Sequence, residues 1–287
     1  MIMLRRAAPA ALIAALVMTL AAGCGGPAAP RPPRTGAPVT GASATGLPAP
    51  QAAQTARPVP APTVPGALLG RLPRATTFAR LAGAPVDGGL STGAGALVAH
   101  LLAAQVVYAA PGGRPFAVLP DTELGGPTWV PVVQTEPGWD RVLLPSRPDH
   151  ATGWLAAGHA LEIRYSAYVI RVSLSARRLT LLSDGQPVGA WTVAVGATGT
   201  PTPLGRTFLL AQLAPPDPQY SPLILPLGTH SSTLDSFGGG PGTVALHGWP
   251  DPGVFGRAVS HGCVRVPSAA LSLLARVPLG SLVLITG

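Results

Sequence analysis

The chain has 287 residues, enough for one large or two modest domains, but 36 glycines and 35 prolines reduce the part that can build packed cores. The formal net charge of +8 is uneven: residues 1–91 carry +7, residues 92–164 carry −2 and residues 165–287 carry +3. Because the basic charge lies mainly in the first third, it is only weak support for nucleic-acid binding, and no nucleic-acid partner is expected. It favours contact with an anionic membrane surface or wall polymer.

Residues 1–23 have the layout of an export leader. Arg5-Arg6 precede an apolar run that is short for a membrane-spanning helix. Leu20-Ala21-Ala22-Gly23-Cys24 resembles a bacterial lipoprotein processing site, which would make Cys24 the lipidated first residue, although Ala21 stands where leucine is usual. A signal cut at a small residue and an uncleaved anchor are the alternatives. All three predict export, and lipidation at Cys24 predicts anchorage to the outer face of the bacterial membrane.

Residues 24–95 are predicted to be a Pro/Ala/Gly-rich disordered linker and lead-in. Up to residue 66 the segment has almost no large apolar side chains, so it cannot bury enough surface to offset the entropy lost on ordering. Stretched at ~3.1 Å per residue, it would reach on the order of 100 Å, from the membrane into the cell wall. Residues 67–95 contain more apolar side chains but many glycines, and are treated as a lead-in.

Residues 96–163 contain short apolar segments separated by turn residues, a pattern that predicts a small all-β barrel. The segments are 96–98, 106–108, 115–119, 128–133, 140–144 and 153–155. The stretch from Trp139-Asp140-Arg141-Val142 to Gly153-Trp154-Leu155 resembles bacterial SH3-like domains. Trp129, Trp139 and Trp154 would either present a wall-binding surface or pack in the core, and packing is the usual fate of large aromatic side chains.

Residues 165–287 predict further strands, a hairpin at the Asp184-Gly185 turn, a short helix over 267–276 and a closing strand over 281–286. The intervening residues 214–242 are rich in proline and glycine and predict a long loop that forms a lid or binding wall. Tyr220, His230 and Ser231 in this loop are second-rank pocket candidates. The predicted fold is mainly β, with mixed sheets and one or two short helices.

Cys263 is the cysteine best placed for chemistry. A free thiol has a pKa near ~8.5 and needs a base to become a nucleophile. His247 ends an apolar run that predicts a buried strand, and a Pro/Gly-containing loop can bring Cys263 back beside it. Gly262 allows a tight bend whose amides would form an oxyanion hole, and Arg265 offers donors to a substrate carboxylate.

The order His247, then Ser260-His261-Gly262-Cys263-Val264-Arg265, resembles the L,D-transpeptidase catalytic domain family. Thr202-Pro203-Leu204-Gly205 is similar to a turn of the same family, so the resemblance covers residues 165–287. It implies a mixed-sheet β-sandwich in which Cys263 is the nucleophile and His247 the proton acceptor and donor. It further implies that the carbonyl of Gly248 orients His247, and that Ser260, His261, Gly262 and Arg265 position the loop and substrate.

By the same resemblance, the substrate is a peptidoglycan stem tetrapeptide. Cys263 would attack before the terminal D-alanine and form a thioester, and a diaminopimelate amine would resolve it into a cross-link between third-position residues. Water or a D-amino acid as acceptor would make the protein a carboxypeptidase or an exchange enzyme. No cofactor or metal is expected, the protein would be a monomer, and a carbapenem should acylate Cys263.

Three other hypotheses compete with this one. In the first, His247 and Cys263 form a buried structural pair without a catalytic role, since free cysteine is often buried. His247, His261 and Cys263, with His230, would bind zinc, although the His-Gly-Cys spacing is cramped for two ligands. The chain would be a non-catalytic wall-binding lipoprotein whose SH3-like region does the work.

Overall fold

The computed structural model describes residues 57–89, 96–215, 218 and 220–287. The predicted leader over 1–23, the lipidation site at Cys24 and most of the predicted tether lie outside these residues. Within the described ranges, no helix is both long enough and apolar enough to cross a membrane. The predicted membrane anchor therefore stays a prediction.

The first half of the described chain is built almost entirely of strands. Its elements are α1 (Gly66–Leu69), β1 (Ala96–Leu101), β2 (Gln105–Tyr108), β3 (Pro115–Leu119), β4 (Thr122–Glu123), β5 (Gly126–Pro127), β6 (Trp129–Glu136), β7 (Trp139–Leu143), β8 (Thr152–Ala156) and β9 (Leu161–Ser166). Each apolar segment predicted as a strand between residues 96 and 155 overlaps one of these strands.

Seven of these strands form one antiparallel sheet in the order β3-β2-β8-β7-β6-β1-β9. The β6–β7 hairpin turns at Pro137-Gly138, where Gly138 has φ +79°, a conformation that suits glycine. Strand β9 runs across the predicted boundary between residues 163 and 165, so the chain passes from one half to the other within a strand. The resemblance of this region to SH3-like domains stays a prediction.

Residues 73–89 correct the prediction of a disordered linker and lead-in up to residue 95. Ala75 and Leu81 are buried, and the amides of these two residues donate to the carbonyls of Val118 and Arg147. The segment thus packs along the sheet and satisfies its backbone there. Its glycine content concealed this, because a few well-spaced apolar side chains and borrowed backbone partners suffice to order an irregular segment.

The end of the predicted tether is also held by the first sheet. The indole N–H of Trp139 donates to the carbonyl of Val59 at 2.7 Å, and the Tyr108 hydroxyl donates to the carbonyl of Pro62 at 3.4 Å. A Pro-rich chain has few N–H groups but retains its carbonyls, which suit the N–H and O–H donors of aromatic side chains. Trp139 and Trp154 are 1% and 6% exposed, which favours packing over wall binding for these two tryptophans.

The second half of the chain forms two further sheets and a helix. Its elements are β10 (Tyr168–Ser173), β11 (Arg178–Ser183), β12 (Gln186–Thr192), β13 (Val195–Gly196), β14 (Gly205–Phe208), β15 (Ile224–His230), β16 (Thr243–Gly248), a 3-10 turn (Pro252–Val254), β17 (Ala258–Ser260), β18 (Val264–Val266), α2 (Ser268–Leu274) and β19 (Leu282–Thr286).

The larger sheet has the order β12-β11-β10-β19-β14 and is mixed, since β10 and β19 run parallel while the other neighbours run antiparallel. The smaller sheet has the order β15-β16-β18, with β16 and β18 parallel. Buried side chains of both sheets and of α2 pack into one core, which confirms the predicted mainly β fold with mixed sheets. The core includes Ile170, Leu179, Val283, Leu225, Leu246, Val264 and Leu274.

Two local predictions in this half are confirmed and one is wrong. The Asp184-Gly185 turn joins β11 to β12 with both residues at positive φ, and α2 begins directly after Pro267. Residues 214–242, predicted as one long loop, contain strand β15. Its Pro226 hid the strand, because proline cannot donate to a sheet, and the pairing with β16 accordingly shifts register between Pro226 and His230.

Candidate active site

A cleft of about 630 Å³ opens beside strand β16. Four residues of the predicted site line it together: His247, His261, Cys263 and Arg265. Its other lining residues are Thr77, Phe78, Leu124, Leu213, Tyr220, Ile224, Pro226, Phe237, Gly238, Gly240, Pro241, Thr243, Ala245, Trp249 and Ser260. Most of the lining residues are apolar. Four of the titratable ones, His247, His261, Cys263 and Arg265, come from one stretch of the chain, residues 247–265.

His247 lies near the end of β16 and is 8% exposed. Its Nδ1 lies 2.7 Å from the carbonyl oxygen of Gly248, which can only accept, so Nδ1 carries the proton and Nε2 is left unprotonated. The amide of Gly248 is itself held by the hydroxyl oxygen of Ser221 at 2.8 Å. The predicted orienting role of the Gly248 carbonyl agrees with this geometry.

Cys263 stands immediately before β18, which pairs in parallel with β16 so that Leu246 lies opposite Val264 and His247 opposite Arg265. A backbone hydrogen bond of Ala245 reaches the sulfur. Ala245 and His247 are two residues apart on one strand and therefore share a face, and both line the cleft together with Cys263, so the sulfur and the imidazole face the same cavity. Cys263 is a free thiol, half-buried because it borders the open cleft.

Burial shifts both groups toward their neutral forms. It raises the pKa of the Cys263 thiol above that of an ordinary free thiol, although the Ala245 hydrogen bond and the Arg265 charge oppose the shift. It lowers the pKa of His247 below 6.5, and the charge of Arg265 adds to that effect while the bond to Gly248 opposes it. At neutral pH the resting pair is a thiol and a neutral imidazole.

A set of hydroxyl groups fixes the bend that carries Cys263. The Ser260 hydroxyl accepts from the amide of Gly262 at 3.1 Å and donates to the carbonyl of Cys263 at 2.5 Å. Thr202 donates to the carbonyl of Gly262 at 2.8 Å, and Thr200 donates to that of Ser260 at 2.8 Å. The bend needs glycine at position 262, where φ is +116°.

This geometry changes one detail of the predicted oxyanion hole. The amide of Gly262 points into the bend and is engaged by Ser260, so it is not free to bind a substrate oxygen. Of the amides predicted around Gly262 and Cys263, that of Cys263 remains the proposed donor. Gly262 contributes its positive φ rather than its N–H group.

Arg265 lines the cleft and stacks its guanidinium on the Trp249 ring, 3.5 Å from the ring centroid. Its Nε is buried and has no hydrogen-bond partner among the described residues. Tyr220 packs edge-on against the His247 ring, with 5.4 Å between centroids. Aromatic side chains therefore hold the imidazole and the guanidinium in fixed positions at the cleft wall.

The structure brings most of the predicted site residues together, but not His230 and Ser231. His230 is fully buried, and its ring nitrogens lie 2.9 Å from an Asp149 carboxylate oxygen and 2.8 Å from the carbonyl of Thr77. The Ser231 hydroxyl accepts from the amide of Leu234 at 3.1 Å. Neither residue lines the cleft. His230 is the last residue of strand β15 and Ser231 follows it, so the two residues do not belong to a lid.

Several residues around the cleft were not predicted. Trp249 directly follows the His247-Gly248 pair, and this position could have indicated that its ring stacks on the Arg265 guanidinium. Ser221 and Thr200 act on main-chain groups distant in sequence and carry no local signal. Thr77, Phe78 and Leu124 come from the first half of the chain, where no pattern connects them with Cys263.

Among residues 57–89, 96–215, 218 and 220–287, no three His, Cys, Asp or Glu side chains converge closely enough to hold a metal ion. The zinc hypothesis built on His247, His261 and Cys263 therefore lacks the donor set that it needs. His230, the fourth ligand of that hypothesis, is engaged elsewhere by Asp149.

The fold and the cleft thus define a β-rich protein with a cysteine and a histidine facing one groove. The family model of the YkuD L,D-transpeptidase catalytic domain matches residues 167–285. The L,D-transpeptidase YkuD of Bacillus licheniformis is 30% identical over 153 residues, which are 51% of this chain and 86% of that protein. Its namesake in Bacillus subtilis strain 168 is 30% identical over 150 residues, 50% of this chain and 84% of that protein.

The chain therefore belongs to the YkuD family of L,D-transpeptidases, which makes it an enzyme of the acyl-transferring transpeptidase class. A solved L,D-transpeptidase from Mycobacterium tuberculosis H37Rv is 18% identical, with a TM-score of 0.35 over 49% of this chain and 74% of that one. A likeness at this level adds nothing to the assignment.

Proposed function

We propose that the protein is a peptidoglycan L,D-transpeptidase that works through a thioester on Cys263. The observation that carries the proposal is the shared cleft of Cys263 and His247, in which the Gly248 carbonyl leaves Nε2 of His247 free to accept a proton. Family membership supports the reaction class, and the thiol and imidazole supply the nucleophile and the base that this reaction requires.

In the first half-reaction, the sulfur of Cys263 attacks the carbonyl before the terminal D-alanine while His247 takes the thiol proton. The amide of Cys263 stabilises the negative oxygen of the tetrahedral intermediate. The carbon–nitrogen bond then breaks, His247 returns the proton to the departing D-alanine amine, and the tetrapeptide remains as a thioester. Because the resting pair is neutral, sulfur attack and proton transfer are coupled.

In the second half-reaction, a diaminopimelate side-chain amine of a neighbouring stem attacks the thioester. His247 accepts a proton from the attacking nitrogen and transfers it to the departing sulfur, which restores the thiol. The product is an amide bond between two third-position residues. Arg265 lines the cleft, and its guanidinium is proposed to pair with a substrate carboxylate.

A second cavity favours a peptide acceptor over water. This cavity, of about 400 Å³, shares Tyr220 and Trp249 with the cleft and continues along α2, where Leu271 and Ser272 line it. A hydrolase needs room for one peptide, whereas a cross-linking enzyme needs two adjoining grooves. Carboxypeptidase and D-amino-acid exchange activities on the same thioester remain the alternatives.

The products of a tetrapeptide donor test this proposal. Incubated with a donor stem and an excess of acceptor stem, the protein should release D-alanine and form a cross-linked dimer as the main product by mass spectrometry. Release of D-alanine with only hydrolysed tripeptide would assign a carboxypeptidase. If no D-alanine were released, the proposed substrate would be wrong.

The export and lipidation of Cys24 also stay proposals, and they would place the enzyme at the outer face of the membrane, where its substrate lies. Metabolic labelling with a fatty-acid analogue should mark the wild-type protein and leave Cys24→Ala unlabelled. Equal labelling of both proteins would refute the assignment of the anchor.

The acylation rate should be constant through neutral pH and fall on the acid side, below pH 6.5. Burial holds the pKa of His247 below 6.5, so the imidazole stays an unprotonated base until the pH drops below that value. The check is the initial acylation rate with the peptide donor between about pH 5 and 9. A rate that climbed about tenfold per pH unit over this range would show that free thiolate attacks without help from His247.

A further inference from the structure

The first half of the chain supplies part of the cleft wall. Thr77 and Phe78, from the segment that packs along the first sheet, and Leu124, between β4 and β5, line the same cavity as Cys263. Phe78 is 64% exposed although it lines a cavity. Large apolar side chains left open at a cavity mouth favour contact with a ligand.

The second half of the chain contributes residues 231–242 to the cleft. This segment, here called the cleft loop, connects β15 to β16. Phe237, Gly238, Gly240 and Pro241 of this loop line the cleft. The Phe237 ring stacks on His261, with 5.3 Å between centroids, and His261 lies two residues before Cys263. The position of the cleft loop therefore sets the width of the cleft next to the nucleophile.

Both ends of the cleft loop are tied to the first half of the chain. At its start, the amide and Nδ1 of His230 lie 3.0 and 2.9 Å from Asp149, and Nε2 lies 2.8 Å from the carbonyl of Thr77. At its end, the Thr243 hydroxyl lies 2.7 Å from that of Thr77. Burial alone would raise the pKa of Asp149, but hydrogen bonds from His230 and Thr229 hold it below 3.8, so the carboxylate is charged at neutral pH.

Arg147 holds the body of the cleft loop. Its guanidinium donates to the carbonyl oxygens of Ser231 at 3.2 Å, Leu234 at 3.3 Å and Pro241 at 2.9 Å. The planar fork of arginine carries five N–H donors and is therefore suited to several carbonyl acceptors at once, whereas the ammonium group of lysine carries three. Glycine is required at position 242, since a Cβ there would clash with the carbonyl oxygen of Leu234, which accepts from Arg147, and would lie 3.1 Å from an Nη of Arg147.

We infer that Arg147 is a positioning residue for the transpeptidase reaction, which holds the cleft loop so that Phe237 and Phe78 can contact the peptide stem on either side of the scissile bond. The inference rests on the proposed function for its substrate. It assigns the first half of the chain a part in the active site, in place of the separate wall-binding role considered from the sequence. Arg147 acts through the loop and does not touch the reacting atoms.

The test compares Arg147→Gln with wild type in the full chain, using three measurements. Hydrogen exchange of the cleft-loop amides should be about tenfold faster in the variant, because the three carbonyls lose their shared donor. For a tetrapeptide donor, kcat/KM should fall about tenfold or more, mostly through KM. Alkylation of Cys263 by iodoacetamide, which needs no loop contact, should stay within about twofold of wild type.

Arg80→Gln is the matched control. Arg80 also pairs with the cleft loop, at Asp235, but both side chains are mostly exposed, at 68% and 93%. Its exchange rates and kcat/KM should match those of wild type, because exposed ion pairs contribute little. Arg147→Lys, which keeps the charge without the planar fork, should fall between Arg147→Gln and wild type.

Two results would overturn the inference. The first is an unchanged rate of hydrogen exchange of the cleft-loop amides in Arg147→Gln. The second is an equal fall in kcat/KM for the peptide donor and in the rate of alkylation by iodoacetamide, which would indicate general destabilisation only. A wild-type protein that releases no D-alanine would instead defeat the proposed function. The exchange measurement separates these cases, because it reports on the loop whether or not the peptide is the substrate.

Discussion

His247→Ala should slow acylation of Cys263 by a peptide donor by about 10²- to 10⁴-fold, the usual contribution of a positioned general base. The thiol would lose its proton acceptor, and burial keeps the pKa of that thiol above 9.0, so almost no thiolate exists at neutral pH without help. Single-turnover kinetics followed by intact mass spectrometry would measure the rate directly.

His261→Ala provides the comparison for this prediction. His261 is exposed and stacks on Phe237, so its loss should weaken substrate binding and leave the chemical step largely intact. We expect a change in KM that is far smaller than the effect of His247→Ala. If the two variants lost equal activity, or if His247→Ala acylated at the wild-type rate, His247 would not be the base.

Asp87→Ala should destabilise the fold by about 3 kcal/mol, as expected when one partner of a buried ion pair is removed. Asp87 and Arg206 are 4% and 10% exposed at the side chain and form two hydrogen bonds, at 2.8 and 2.6 Å. They join the segment before the first sheet to strand β14 of the larger second-half sheet. Thermal unfolding should show a Tm lower by on the order of 10 °C.

The pH dependence of that difference is a second check on Asp87. Burial alone would raise the pKa of Asp87, but the hydrogen bonds and charge of Arg206 outweigh it and hold the pKa below 3.8. A carboxyl group whose pKa is lowered by folding stabilises the folded state at pH values above its pKa in the unfolded chain. This contribution is lost as the pH falls through the pKa of the group in the folded protein. The Tm difference should therefore be full at neutral pH and shrink in acid.

Asp235→Ala is the control for the stability prediction. Asp235 is 93% exposed at the side chain and pairs with an exposed arginine, so its removal should leave Tm unchanged within error. Equal Tm values for Asp87→Ala and Asp235→Ala would mean that the ion pair of Asp87 with Arg206 contributes nothing to the stability of the fold.

The catalytic end of the chain was the most predictable part. Local sequence indicates the strand before His247, the bend at Gly262 and the proline that precedes α2, although Thr200 and Thr202 also hold the bend from about sixty residues away. The Asp184-Gly185 hairpin was predictable for the same reason, because its backbone conformation depends on two residues. Where a few neighbouring residues settle the structure, the sequence pattern was sufficient.

The residues that complete the site were not predictable, because their roles depend on distant main-chain groups. Arg147 acts on three carbonyls more than eighty residues away, and nothing beside it in the sequence distinguishes it from a surface arginine. His230 was taken for a loop residue because prolines concealed β15. The Asp87 segment was taken for linker because its order comes from packing on a sheet and from Arg206.

The amide of Gly262 illustrates the same limit within the motif itself. The pattern correctly required a flexible residue before Cys263, and the positive φ at Gly262 explains why. The direction of its N–H group was set by the Ser260 hydroxyl, which bonds to two groups of the bend. A motif indicates which residues meet, whereas the hydrogen bonds among them decide which groups remain for the substrate.

Acylation of Cys263 is the step on which the proposed function depends, and intact mass spectrometry after exposure to a carbapenem measures it. The strained acyl group of the carbapenem should react with the thiol as the stem peptide does. We expect one adduct per wild-type chain, mapped to Cys263 and absent from Cys263→Ala. A wild-type protein that remained unmodified, or an adduct that persisted in Cys263→Ala, would contradict it.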